Sequence, residues 1–434
     1  MARIKLVYIG GGSTRAPGTV ASFIEQGENF EGSEIVLFDL DPARLDIVKT
    51  IAQKMARHRG MDLKVSVSTD RRAALTDCDA VLTSYRPGGF EARYLDESIS
   101  LKHGLIGQET QGPGGFMMAL RSINAMKDII ADVERVAPRA RVFNYTNPIN
   151  IISEAVTHNS SVPFLSFCEG PYDFPEATAR FAGLDPDKLD TVMIGLNHGS
   201  WSVRHLYEGK DVMPLLEEAY GRLRDKPDVN VTRLRLLRLA VEMQSIPADY
   251  FQYYYYRDEI VRELSAKATT RAQDILAKVP DYWQHYVEQA ASDAPKLDPQ
   301  RSRGGIHELE LAIDAMDAIF NDRGDVLPVN CPNHGALTDF PDDLVVEMRG
   351  RFDRHGVDRI ADGRLPRHVV GLVEMLGEYQ ALTAQAAWSG TRRDAIRALA
   401  ANPLVMSTAK AEAVFDDFCA AQGQYLPGRL LADG

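Results

Sequence analysis

No apolar stretch approaches the roughly 18 residues that a membrane-spanning helix needs, so no transmembrane segment is expected. Cysteine is scarce: Cys78, Cys168, Cys331 and Cys419 are the four in 434 residues, and none stands in CxxC spacing. A zinc ribbon and a disulfide framework are thereby excluded. Basic residues are too few for a nucleic-acid binder, 49 against 61 acidic, a net charge of −12. That balance leaves room for a small anionic ligand, because a few local arginines outweigh the global sign. The N-terminal stretch MARIKLVYIGGG has neither the long apolar core nor the small-residue cleavage site of a secretion signal and runs directly into a strand pattern. A cytoplasmic protein is expected, with neither membrane nor nucleic acid among its partners. There is no internal repeat and no low-complexity tract.

What is present alternates strand and helix. Apolar runs at 4–9, 34–39, 80–84, 141–145 and 163–167 read as buried strands, and 63–68 alternates as an edge strand would. Helical patterns fill 42–59 and 115–136. This order predicts an α/β fold whose N-terminal part, 1–170, is a Rossmann-like, doubly wound parallel sheet. Beyond it, 171–434 is expected to form a mainly helical metal, substrate and oligomerisation domain. Helices are read there at 231–242, 250–267, 306–320, 369–388 and 392–402, with short strand-like pieces such as 191–195 between them.

The first strand ends in Gly10-Gly11-Gly12-Ser13-Thr14-Arg15. Glycines after a strand let the backbone approach a pyrophosphate, and the next helix aims its N-terminal N–H groups at the anion. Gly10 and Gly12 fill the first two positions of G-x-G-x-x-G, and Arg15 replaces the third. Asp39 closes the second strand, where an acid pairs with ribose hydroxyls and favours NAD. Gly10, Gly12, Ser13, Thr14 and Asp39 are therefore the candidate cofactor residues.

Several segments in order resemble glycoside hydrolase family 4: IGGGS (9–13), EARYLDE (91–97), IGQETQGPGG (106–115), NYTNP (144–148), CEGP (168–171), GLNH (195–198) and YFQYYYY (250–256). NAD-dependent family 4 enzymes are among the exceptions to the two-carboxylate glycosidase rule. The resemblance implies oxidation of the sugar at C3 by NAD⁺, deprotonation at C2, elimination of the aglycone, water addition and return of the hydride. It further implies that Cys168 and His198 bind Mn²⁺ or another divalent metal, that Tyr250 is the base, with Tyr253 and Tyr254 behind it, and that Glu109 raises the base's proton affinity. Arg93 and Arg303 would contact substrate, Asn147 and Asn197 are candidates for sugar or metal-shell contacts, and the subunits would form a homodimer or homotetramer. Taken singly, Cys168 is as well explained as a small buried apolar residue, a tyrosine cluster as packing, and an arginine as a surface ion pair.

Position 169 departs from the pattern. Phospho-α-glucosidase-like members tend to carry Asp there, phospho-β-glucosidase-like members Asn, and some α-galactosidase-like members His; this chain has Glu169. A glutamate there is a candidate proton donor to the leaving oxygen or a structural charge partner. The remainder of the chain resembles the phospho-β-glucosidase branch, so a 6-phospho-β-glucoside is the expected substrate. A 6-phospho-α-glucosidase and an unphosphorylated α-galactosidase, glucosidase or glucuronidase are the alternatives within the family. Outside it stand a lactate/malate-type dehydrogenase, which would release NADH stoichiometrically, and a non-enzymatic NAD-sensing protein. The Cys168/His198 pair and the IGQETQGPGG block argue against the first, and the second would need neither a metal nor a tyrosine cluster.

Overall fold

The computed structural model describes residues 1–303 and 310–432. Twelve strands form one sheet: β1 (Lys5–Ile9), β2 (Glu34–Phe38), β3 (Lys64–Ser68), β4 (Ala80–Thr83), β5 (Arg141–Asn144), β6 (Phe164–Ser166), β7 (Leu189–Leu196), β8 (Gly199–Tyr207), β9 (Lys210–Asp211), β10 (Asp325–Pro332), β11 (Val345–Asp353) and β12 (Gly356–Arg359). The first six are parallel in the order 3-2-1-4-5-6, the doubly wound dinucleotide-binding topology. β3 is the edge, as its half-exposed alternation predicts.

Both faces of the parallel part are buried, which explains its near-continuous apolar runs. Alternate residues of β1 feed two cores: Leu6 and Tyr8 join one, Val7 and Ile9 the other. Helices Ala16–Glu25 and Pro42–Arg59 cover the first face and Gly112–Val136 the second. Asp41 caps Pro42–Arg59 by accepting from Ala43 N and Arg44 N, and Gly60 ends that helix.

The sheet continues antiparallel. Ser166 of β6 pairs with Asn330 of β10, β10 forms a long hairpin with β11, and Glu347 of β11 meets Gly195 of β7. β7 and β8 then close a second hairpin. The later helices dominate the rest, as expected, and Arg367–Trp388 packs back on the first part, contributing Val369 and Val373 to one core and Tyr379 and Ala384 to the other.

Two expectations need adjustment. The stretch read as one helix over 250–267 is three pieces: a 3-10 turn Asp249–Phe251, a short helix Gln252–Tyr255 and a helix Arg257–Ala266. Tyr256, at φ −126°, breaks the spiral between the last two. The tyrosines pack on several neighbours at once, Phe251 against Trp201 and Tyr254, Tyr250 against Phe174, and this tertiary packing overrides helical periodicity. The helix read over 306–320 is seen as Glu310–Phe320; residues 306–309, with Gly304 and Gly305, lie outside the described residues.

Candidate active site

The carboxyl ends of β1, β4, β5 and β6 open on a cavity of about 720 Å³. Its wall includes Gly10, Gly12, Ser13, Thr14 and Asp39 at one end and Cys168, Glu169, His198 and Tyr250 at the other, with Glu109, Asn147 and Arg303 between. A second cavity, about 610 Å³, shares Glu109, Phe174, Tyr250 and Arg303 with it and adds Arg93 and Tyr253. The structure thus brings the sequence-picked site residues to one cavity, except Arg93 and Tyr253, which line its neighbour, and Asn197 and Tyr254. Asn197 lines a small pocket behind His198.

At the glycine end, Gly10 has φ +100° and an added Cβ would stand 2.1 Å from Ser84 O, so no side chain fits. Gly10 N and Gly11 N both donate to Phe38 O at 3.0 Å, tying the loop to β2. Asp39 turns toward this loop, accepting from Gly12 N at 3.0 Å and from Leu40 N at 2.7 Å. Helix Ala16–Glu25 follows with Pro17 in its first turn, where no N–H is required. A backbone this close-packed, ending in a helix N-terminus beside an open cavity, fits a dinucleotide.

At the other end, Cys168 follows β6 and accepts from Gly170 N at 3.4 Å. His198 occupies the second position of the two-residue turn joining β7 and β8, at φ +60°. Turns of this shape ordinarily take glycine or asparagine there, and a left-handed histidine costs roughly 1–2 kcal/mol. Side-chain contacts offset that cost. His198 Nδ1 lies 2.8 Å from Thr110 Oγ1, whose own proton goes to Gln108 Oε1 at 3.0 Å. An imidazole that donates from Nδ1 to this oxygen presents the Nε2 lone pair to Cys168 Sγ, which lies 3.5 Å away. Two donors on one divalent ion, each about 2.0–2.3 Å from it, stand this far apart. Burial keeps the imidazole neutral, pushing it down to about 4. Burial, and then the charges of Glu347 and Glu169, hold the Cys168 thiol well above its usual range. The described residues hold no cluster of three or more His, Cys, Asp or Glu suited to a metal, so oxygen ligands from elsewhere would complete a site on this pair.

Tyr250 stacks on His198. Burial and the nearby Cys168 and Glu109 raise its phenol well above the ordinary value, so it needs an added positive charge to act as a base near neutrality. Glu109 is clamped by Arg86 and by Arg93, whose Nη1 donates at 2.6 Å, while Asn147 Nδ2 approaches at 3.4 Å. Burial alone would raise its carboxyl; the Arg86 and Arg93 guanidiniums override that and hold it far below the usual range. Arg93 also donates to Glu97 at 2.8 Å. Arg303 lies over the Phe90 ring, 4.5 Å from its centroid. Burial, then Arg15, Arg86 and Arg93, press its guanidinium down to about 9. Such a crowd of cations around Glu109 favours an incoming anion. Among the described residues, Asn147 Oδ1 is buried without a hydrogen-bond partner, which suits it to a ligand hydroxyl. Glu169 accepts from Tyr145 Oη at 2.6 Å at the edge of the same cavity.

Sequence reasoning passed over Arg86, Thr110 and Glu347. Thr110 lies inside a quoted motif, but its role depends on meeting a histidine far along the chain. Glu347 did carry a signal, one charged residue within the apolar run Leu344-Val345-Val346-Glu347-Met348. It is buried, accepts from Asn197, Ser200 and Asn330, and is pushed up to about 7 by burial.

Comparison with known proteins agrees with this geometry. The description "Family 4 glycosyl hydrolase" matches residues 5–184, and its C-terminal domain matches residues 193–405. A probable 6-phospho-beta-glucosidase of Bacillus subtilis (strain 168) is 33% identical over 98% of this chain and 97% of its own. The 6-phospho-beta-glucosidase of Escherichia coli (strain K12) is 33% identical over 98% of this chain and 96% of its own. A 6-phospho-alpha-glucosidase from gut microorganisms, solved in complex with NAD and Mn²⁺, superposes with a TM-score of 0.85 at 26% identity, covering 98% of this chain and 99% of that one. With both family domains matched in order along the chain and the site residues gathered where that fold binds its ligands, the protein belongs to glycosyl hydrolase family 4.

Proposed function

We propose that this protein hydrolyses 6-phospho-β-glucosides by C3 oxidation, C2 deprotonation, elimination and water addition, with NAD and Mn²⁺ or another divalent metal as cofactors. The observation that carries the reading is the single cavity whose walls join the glycine loop, the Cys168–His198 pair, Tyr250 and Arg303. The bound cofactors would supply a hydride acceptor for C3 and a Lewis acid, with positive charge beside the Tyr250 phenol.

The chain's own groups do the rest. Gly10, Gly12, Ser13 and Thr14 cradle the dinucleotide, and Asp39 faces its ribose. Cys168 and His198 hold the metal, His198 through the Nε2 lone pair that the Thr110 contact leaves free. Tyr250 takes the C2 proton at its hydroxyl oxygen. Asn147 and Asn197 orient the sugar hydroxyls, since an aligned ring gains most from a fixed base. Arg303 and Arg93 take the 6-phosphate. Glu109 keeps Arg93 in place and places negative charge near Tyr250, favouring proton uptake there. Glu169 offers its carboxyl to the leaving oxygen, with Tyr145 holding it.

In this reading residues 1–170 form the NAD-binding part and 171–434 the metal and substrate part. No helix among the described residues is long and apolar enough to cross a membrane. A phosphorylated substrate supports a cytoplasmic location. Met375 and Leu382, exposed on helix Arg367–Trp388, suit a subunit contact in a homodimer or homotetramer.

A 6-phospho-α-glucosidase is the second reading. Its support is Glu169, a carboxylate where the β-specific branch tends to carry asparagine. One panel decides: nitrophenyl α- and β-glucosides, each with and without a 6-phosphate, assayed with NAD⁺ and Mn²⁺. Cleavage of the phosphorylated β-glucoside without accumulating NADH is expected. Cleavage of the α-anomer alone transfers the assignment to the second reading, and stoichiometric NADH without cleavage defeats both.

A further inference from the structure

Glu347 lies outside every motif that pointed to the site, yet it holds the part of the chain that presents His198. It stands in β11, 1% exposed, paired in register with Gly195 of β7. Its Oε1 accepts from Asn197 Nδ2 at 2.9 Å and from Asn330 Nδ2 at 3.4 Å, and its Oε2 from Ser200 Oγ at 2.8 Å. Asn197 is the first residue of the β7–β8 turn and Ser200 lies in β8 beyond it, with His198 between them. One carboxylate thus grips the turn and the strand that leaves it and ties both to β10.

Stability alone explains this arrangement poorly. All three donors are neutral amides or a hydroxyl, and among the described residues no cation forms an ion pair with Glu347. A carboxylate buried on neutral partners is costly, and a glutamine would fill the same space and keep an acceptor. A dication on the neighbouring sulfur and nitrogen would relieve that cost, because it is the largest local charge and is attracted by a nearby carboxylate.

We propose that Glu347 is a positioning residue for the divalent metal, holding the Asn197–His198 turn so that Nε2 faces Cys168 and adding negative charge behind the pair. The inference rests on Cys168 and His198 being the metal ligands. Outer partners that orient ligands in this way typically change metal affinity about 10- to 100-fold when removed.

The test measures Mn²⁺ binding directly, by electron paramagnetic resonance of free Mn²⁺, in the full-length wild type, Glu347→Gln and Glu347→Ala. NAD⁺ binding and thermal melting are followed in parallel. Glu347→Ala is expected to weaken Mn²⁺ about 10- to 100-fold with NAD⁺ affinity unchanged. Glu347→Gln, which keeps the shape and one acceptor, is expected to fall between, with turnover recovering at saturating Mn²⁺. Unchanged Mn²⁺ affinity in a folded Glu347→Ala overturns the proposal, as does a parallel loss of Mn²⁺ and NAD⁺ affinity, which marks a purely structural role. If Glu347→Ala does not fold, Glu347→Gln and Ser200→Ala decide, and wild-type Mn²⁺ affinity in both overturns it. A wild type that binds no Mn²⁺ defeats the metal reading itself, a result distinct from unaltered binding in the variants.

Discussion

The imidazole of His198 and the phenol of Tyr250 stack face to face, their centroids 3.9 Å apart and their planes 16° from parallel. A metal held by His198 Nε2 would therefore share its immediate surroundings with the Tyr250 phenol. Tyr250→Phe preserves the stack and removes only the oxygen. It is expected to leave NAD⁺ and Mn²⁺ binding intact and to slow cleavage about 10²- to 10⁴-fold, the usual worth of a positioned base. In D₂O the wild type should place deuterium at C2 of the released sugar. A product carrying protium alone at C2 would sink the elimination route. Undiminished exchange in Tyr250→Phe would move the base to Tyr253 or Tyr254.

Metal binding should depend on pH through Cys168. Burial, then Glu347 and Glu169, keep its thiol protonated through neutrality. His198, lowered to about 4 by burial, is already neutral there. Binding must therefore expel the thiol proton and nothing from the imidazole, so apparent Mn²⁺ affinity should rise with pH, roughly tenfold per unit between about pH 6 and about pH 8. Titration calorimetry in buffers of different ionisation enthalpy reads the released proton. A flat profile, or an unaltered Mn²⁺ response in Cys168→Ser, would take the sulfur out of the ligand set.

Arg303 and Arg93 should behave differently. Arg303 is pressed down to about 9 by burial and other arginines, the condition an incoming phosphate relieves. Arg303→Ala is expected to cost about 1.5–3 kcal/mol on a 6-phosphoglycoside, ten- to a hundredfold in kcat/KM, and little on the unphosphorylated one. Arg93 bridges Glu97 and Glu109, so its removal also frees two buried carboxylates. Arg93→Ala should lower activity on both substrates, more on the phosphorylated one, and lower the Tm. Equal losses for Arg303→Ala on the two substrates would remove it from the phosphate site.

The glycine loop gives a sharp steric prediction. An alanine at 10 would put its Cβ against Ser84 O at 2.1 Å in a left-handed backbone. Gly10→Ala should abolish NAD⁺ binding in a fluorescence titration while Mn²⁺ binding at the far end of the cavity survives. NAD⁺ affinity within threefold of wild type, on the order of 0.6 kcal/mol, would show that the loop does not shape the site.

Much of this was legible in the chain because it is local. The runs at β1, β2, β4, β5 and β6 announce a sheet buried on both faces, and the glycines after β1 with Asp39 after β2 mark the proposed dinucleotide end without any tertiary information. The resemblance to family 4 motifs supplied Cys168, His198 and Tyr250, whose spacing alone implies nothing. The continuation of the sheet through β8, β10 and β11 was not legible. Those strands come from distant stretches, and β11 joins β7 through the single pair Glu347–Gly195.

Sequence by itself determined the elements whose stability is decided within a few residues: the alternating strands, the capped helix after Asp41, the glycine turn. Tertiary structure alone decided which nitrogen of His198 faces Cys168, because that depends on Thr110 and Gln108 approaching from another element. It alone turned Glu109 into the centre of an arginine cluster and made Glu347 the anchor of the His198 turn. The reason is physical: a buried polar group takes its charge, tautomer and orientation from the partners that desolvate it, and packing, not chain order, chooses them.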